Sequence, residues 1–126
     1  MNLKDKDVVE YLCGQQTVRD GELKSFTLEN FETGPVVQLA FEMYLETPLR
    51  KVSLELSGVR EVIFNWAGEG FPHYVAMLKC LWTSDNEFYL SLDPYDERDV
   101  SPSNDDNEVF RSSSVVMTVE TLEGSA

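Results

Sequence analysis

A two-residue alternation of apolar and polar side chains recurs along this chain, and no other feature constrains its fold as much. It is clearest where Val37, Leu39, Phe41, Met43 and Leu45 alternate with Gln38, Ala40, Glu42, Tyr44 and Glu46. Successive side chains of a strand point to opposite sides of a sheet, so this spacing builds a ribbon with one dry and one wet face. The alternation returns at 23–31, 51–56, 59–66, 87–92 and 114–122. A slip of one residue would turn a strand's whole apolar set outward, so the pattern also names a core. That core is Val37, Leu39, Phe41, Val52, Leu54, Val62, Phe64, Phe88, Leu90, Val115, Met117 and Val119.

Turn chemistry separates the runs. Thr33-Gly34-Pro35 predicts a hairpin between 23–31 and the strand that Pro48 closes, and Ser57-Gly58 permits a turn or bulge between 51–56 and 59–66. Residues 67–72 read as a flexible loop. Residues 74–83 carry apolar side chains on both faces, as a central, doubly covered strand would, with a buried helix as the competing reading. Ser84-Asp85-Asn86 then predicts a hairpin into 87–92, a half-buried strand with Phe88, Leu90 and Leu92 inward and Glu87, Tyr89 and Ser91 toward water. Near the N-terminus, Asp7 and Glu10 have capping-box spacing, with Val8, Tyr11 and Leu12 on one face of a short helix that Gly14 ends.

The expected fold is therefore mainly β: an antiparallel sheet curled or folded into a sandwich or partial barrel, with a short N-terminal helix. An α+β fold is the alternative if 74–82 or 1–15 supplies a true packing helix. At 126 residues and 42% hydrophobic composition the chain suits a single domain with a real core. Residues 93–108 form an acidic surface loop, too poor in apolar groups to order itself, and 123–126 a frayed tail.

Charge narrows the function. Asp and Glu number 23 against 10 Lys and Arg, a net charge of −13, and such a field repels nucleic acid and anionic lipid while attracting basic proteins. High charge also serves solubility alone. With no secretory leader and no run near the roughly 20 apolar residues that span a bilayer, a cytoplasmic location is expected. Cys13 and Cys80 lie in no C-x-x-C or zinc-like spacing and read as ordinary reduced thiols, a bridge between them being possible but not indicated.

Catalytic signals are weak. His73, the one histidine, sits after Gly68-Glu69-Gly70 in the expected loop without an inferable orienting carboxylate, and no nucleophile elbow, phosphate loop or H-E-x-x-H occurs. The chain is read as no enzyme, with no cofactor. Asp93, Asp96, Glu97, Asp99, Asp105, Asp106 and Glu108 offer hard oxygen ligands, but the loop has no glycine and carries Pro94 and Pro102, unlike a calcium loop, so no metal is expected. The aromatics among these acids, Tyr44, Tyr89 and Tyr95 with Trp66, Phe71 and Trp82, suit a basic protein surface, where rings supply buried area and charges steer. Core or edge packing is the competing role for those rings.

The run Phe88-Tyr89-Leu90-Ser91-Leu92-Asp93-Pro94-Tyr95-Asp96-Glu97, with Asp105-Asp106-Asn107 beyond it, resembles a pattern in small acidic bacterial immunity proteins, which neutralise a cognate toxin. The resemblance covers about a fifth of the chain and implies a binding protein without catalysis. The expected function is a non-catalytic cytosolic binding or inhibitor protein for a basic macromolecule, with Asp93, Tyr95, Asp96, Glu97 and Asp99 in its partner-binding surface. The alternative is a small-molecule or carbohydrate-binding domain using an aromatic-lined sheet face.

Overall fold

A computed structural model describes residues 2–14, 17–43, 49–64 and 73–122, with backbone alone at 73 and 122. The expectations for Tyr44, Leu45, Pro48, Trp66, the 67–72 loop and the 123–126 tail lie outside the described residues. The elements are β1 (Asn2–Lys4), α1 (Lys6–Leu12), β2 (Glu22–Phe31), β3 (Gly34–Met43), β4 (Leu49–Ile63), β5 (His73–Tyr74), β6 (Lys79–Trp82), β7 (Phe88–Asp93) and β8 (Asn107–Leu122). The eight strands join one antiparallel sheet in the order β5-β2-β3-β4-β8-β7-β6, with β1 beside the C-terminal half of β8.

Connectivity forces this sheet to curl. Its outermost strands, β5 and β6, are joined only by residues 75–78. A flat sheet of seven strands at ~4.8 Å spacing would hold them roughly 29 Å apart. The five residue steps from Tyr74 to Lys79 reach at most ~18 Å when fully extended. The two ends therefore approach each other without pairing, and the sheet stays open.

The fold line runs through two long strands. The register of β4 on β8 shifts between Val59 and Glu61, and just before it Gly58 takes φ +62. A Cβ on Gly58 would stand 2.1 Å from Ser113 Oγ, so the corner needs glycine for its backbone and for its closeness to the neighbouring strand. On β8 the bend falls in a serine run, where buried Ser112 donates its hydroxyl to the Ser114 carbonyl (3.0 Å). Beyond the corner, Phe64 and Phe110 reach Phe26 of β2, with ring centroids 5.0 and 5.5 Å away in edge-to-face arrangements. The single sheet thus curls around one shared core.

All twelve predicted core residues lie in or against that core; Val62, Phe64 and Val119 pack at its margin and the other nine are buried. Both predicted hairpins form, β2–β3 through Glu32-Thr33 and β6–β7 through Ser84–Asn86, where Asn86 takes φ 63. The Ser57-Gly58 signal marks a bulge within one strand. The helix forms, but its cap is not Asp7: Asp5 is the cap position, and its carboxylate accepts from Ser114 Oγ (2.7 Å) and Val115 N–H (2.9 Å), tying the helix start to β8. At the other end, buried Arg50 donates to Tyr11 Oη (2.7 Å) and the Thr17 carbonyl (2.8 Å).

Three expectations are corrected. Residues 74–83 are neither a central strand nor a helix; they run from the last residue of β5 through β6, the two outermost strands, and β6 is covered by α1 and by the 94–106 segment rather than by flanking strands. The last strand begins at Asn107 instead of Ser114, because Glu108, Val109 and Phe110 are consecutively buried and show no alternation. β7 is buried on both faces, Tyr89 and Ser91 included, because the acidic segment folds back across it.

Candidate functional site

The segment 94–106 links β7 to β8 and lies as a strap over β6 and β7. It has little to bury that is apolar, so what holds it is polar. The central group is Asp106, whose side chain is fully buried. Its carboxylate accepts from Tyr89 Oη (2.5 Å), Lys79 Nζ (2.9 Å), Tyr95 N–H (3.0 Å) and Ser103 N–H (3.1 Å). Four donors answer the carboxylate's acceptor capacity, and one of them, Lys79, brings a balancing charge that is itself only 1% exposed. Burial pushes the Asp106 carboxyl up, but the bonds from Tyr89, Lys79, Tyr95 and Ser103 together hold it below its ordinary value. Burial, followed by the bond to Asp106, pushes the Tyr89 hydroxyl well up, so it remains a donor. The Arg111 guanidinium lies over the Tyr89 ring at 4.9 Å.

This corrects the reading of 93–108 as a solvated excursion unable to order itself. Asp93 ends β7, Asn107 and Glu108 belong to β8, and Asp106 and Glu108 are buried. Sequence reasoning grouped Asp106 with surface acids because composition cannot distinguish a carboxylate facing water from one facing a lysine 27 residues away.

The five expected partner-binding residues divide. Asp93 is exposed at the end of β7, and Tyr95, 75% exposed, stands outward on a backbone pinned to Asp106. Asp96 folds onto its own turn, accepting from Arg98 N–H (3.0 Å). Glu97 points back to the body, pairing with Arg19 (3.0 Å) and accepting from Leu78 N–H (3.3 Å). Asp99 accepts from the Ser101 N–H (3.2 Å), which with the Ser101 hydroxyl and Lys79 (3.5 Å) holds its carboxyl below the ordinary value. Glu97 and Asp99 thus fasten the strap, while Tyr95 and Asp96 remain at its outer surface beside Asp93 at the end of β7, with Val100 (85% exposed) further along it.

No family model, curated protein or solved structure matches this chain. The geometry stands by itself. Tyr89, expected as an exposed aromatic, is buried, and Trp82 is half-buried with its indole N–H on Asn86 Oδ1 (2.8 Å). His73 has its backbone in β5, paired with Leu23, and its side chain lies outside the described residues. Among the described residues no group of three or more His, Cys, Asp or Glu is placed to hold a metal ion, and no helix is long and apolar enough to cross a membrane. The shallow depression of about 230 Å³ on the outward sheet face is lined by residues such as Ser25, Thr27, Gln38, Ser53, Glu55 and Thr118, with no aromatic ring.

Proposed function

We propose that this chain is a non-catalytic binding protein for a basic protein, recognised through the outer surface of the strap. Inhibition of a basic toxin, the role implied by the resemblance to immunity proteins, is its specific form. The observation that carries the reading is Tyr95: a large ring, three-quarters exposed, on a backbone that a buried carboxylate holds in place. A preorganised aromatic loses little freedom on binding, so its contact area converts efficiently into affinity. Asp93 and Asp96 flank it, and the net charge of −13 speeds encounter with a cationic surface. The carbohydrate-type alternative is less favoured because the outward sheet depression offers no ring to stack on.

The test is affinity capture, identification of the captured protein, and binding kinetics at two salt concentrations. Neutralising Asp93 and Asp96 together should slow association and flatten its salt dependence. Tyr95→Ala should act on dissociation, costing about 2 kcal/mol if the ring is a hot spot. An acidic partner, or variants that bind like the parent chain, would sink the proposal.

A further inference from the structure

The strap also closes one side of a second feature, in which two cysteines 67 positions apart meet. Cys13 follows the last turn of α1 and is exposed, whereas Cys80 lies in β6 and is buried. The Cys13 thiol donates to the Cys80 carbonyl at 3.3 Å, which places its sulfur against the backbone of Cys80. Both line a cleft of about 200 Å³ that Arg19, Lys79, Glu97 and Asp99 also border, giving a small polar reagent a route to Cys13. We propose that Cys13 and Cys80 form a redox-active dithiol whose oxidant is a hydroperoxide, Cys13 being the attacking sulfur and Cys80 the resolving one.

The asymmetry of the pair assigns the roles. A thiolate is the nucleophile, and the sulfur a reagent can reach is that of exposed Cys13, since Cys80 is buried. The Cys80 S–H bond brings the Cys13 thiol down to about 7, against the opposing effect of burial and with help from Arg19. Burial pushes the Cys80 thiol well up. The negative end of α1 opposes a thiolate at Cys13, but a seven-residue helix exerts a small field. The other charges facing the cleft are Lys79 and Arg98 against Glu97 and Asp99; Glu97 is engaged with Arg19 and Asp99 with Lys79.

In the first step the Cys13 thiolate attacks one peroxide oxygen. The S–O bond forms, the O–O bond breaks, and the departing oxygen leaves as alkoxide or hydroxide and takes up a proton. Cys13 is then a sulfenic acid. In the second step the Cys80 sulfur attacks the Cys13 sulfur; the S–S bond forms, the S–O bond breaks, and hydroxide leaves with the Cys80 proton as water. Two thiols have lost two electrons, and the hydroperoxide has become an alcohol or water, plus water. The Cys13 sulfur already lies 3.3 Å from the Cys80 carbonyl oxygen, and Cys13 lies beyond the last helical turn, so the approach to a bond of ~2.05 Å calls on movement at a helix end rather than in the sheet.

The test uses the full chain and hydrogen peroxide. Aliquots taken during oxidation are alkylated, and peptides are mapped by mass spectrometry. A Cys13–Cys80 cross-link within one molecule should appear, should revert with an added dithiol, and should form at half its maximal rate near pH 7. Cys13→Ser should abolish oxidation of Cys80. Cys80→Ala should leave Cys13 as a sulfenic acid that a 1,3-diketone probe captures. If the cysteine variants do not fold, peptide mapping of the parent chain decides alone. Two thiols still free after peroxide that consumes free cysteine, or cross-links only between molecules, would overturn the proposal.

Discussion

The molecule has two interiors built on opposite terms. Inside the curled sheet, Val37, Leu39, Phe41, Val52, Leu54, Phe88, Leu90, Val115 and Met117 make a dry core in which many side chains share the burial. Under the strap, one carboxylate gathers four donors from three separate segments. An apolar core responds to substitution in proportion to the volume removed, because its attractions are numerous and non-directional. A buried polar cluster responds abruptly, because a lost partner leaves a desolvated group behind. The first kind suits a scaffold, and the second gives a short loop a defined shape that its composition could not produce.

The largest expected effect comes from removing the buried charge that balances Asp106, that of Lys79. Lys79→Met should destabilise the chain by about 3–5 kcal/mol, read from urea denaturation, since an uncompensated buried carboxylate is left. A loss under 1 kcal/mol would mean that the backbone and Tyr89 bonds suffice, and the contrast between the interiors would fail.

Tyr89→Phe sharpens the comparison by deleting one hydroxyl. A bond to a charged acceptor contributes about 1.5–3 kcal/mol, so that loss is expected near neutral pH. The folded Asp106 carboxyl lies below its ordinary value, so its contribution is present above the unfolded pKa of about 3.9 and is lost as pH falls through the folded one. Parent and variant stability curves should therefore converge below about pH 4. Parallel curves down to the acid end would show that Asp106 is not the hydroxyl's partner.

At the bulge of β4 on β8, Gly58→Ala should cost about 1–3 kcal/mol in thermal or urea unfolding, from the positive φ. Ser113→Ala in the same background should recover only the part due to the clash with Ser113 Oγ. The smallest effect is expected outside both interiors. Tyr95→Ala should change stability by no more than about 0.5 kcal/mol, because an exposed ring buries little within the chain. A larger loss would place Tyr95 in the fold rather than in recognition.

Local pattern determined much of this protein. Alternation at 37–43, 52–56 and 115–119 told which side chains turn inward, because a strand's facing depends only on the parity of its residues. Ser57-Gly58 permitted a turn or bulge, of which the bulge formed, and Ser84-Asp85-Asn86 predicted the hairpin, because turns are chosen by the residues that form them. Tertiary structure decided what covers each face. Tyr89 and Ser91 read as wet and are dry because the strap returns over them, and 74–83 reads as central yet becomes edge because α1 and the strap supply its cover. Asp106 looks like its neighbours until Lys79 and Tyr89 converge on it, and Cys13 and Cys80 lie in no motif because their meeting is made by a helix end docking on β6, at the edge of the sheet. Periodicity reports the direction in which a side chain points; what waits there is settled by the long-range closure of the chain, which leaves no mark on local spacing.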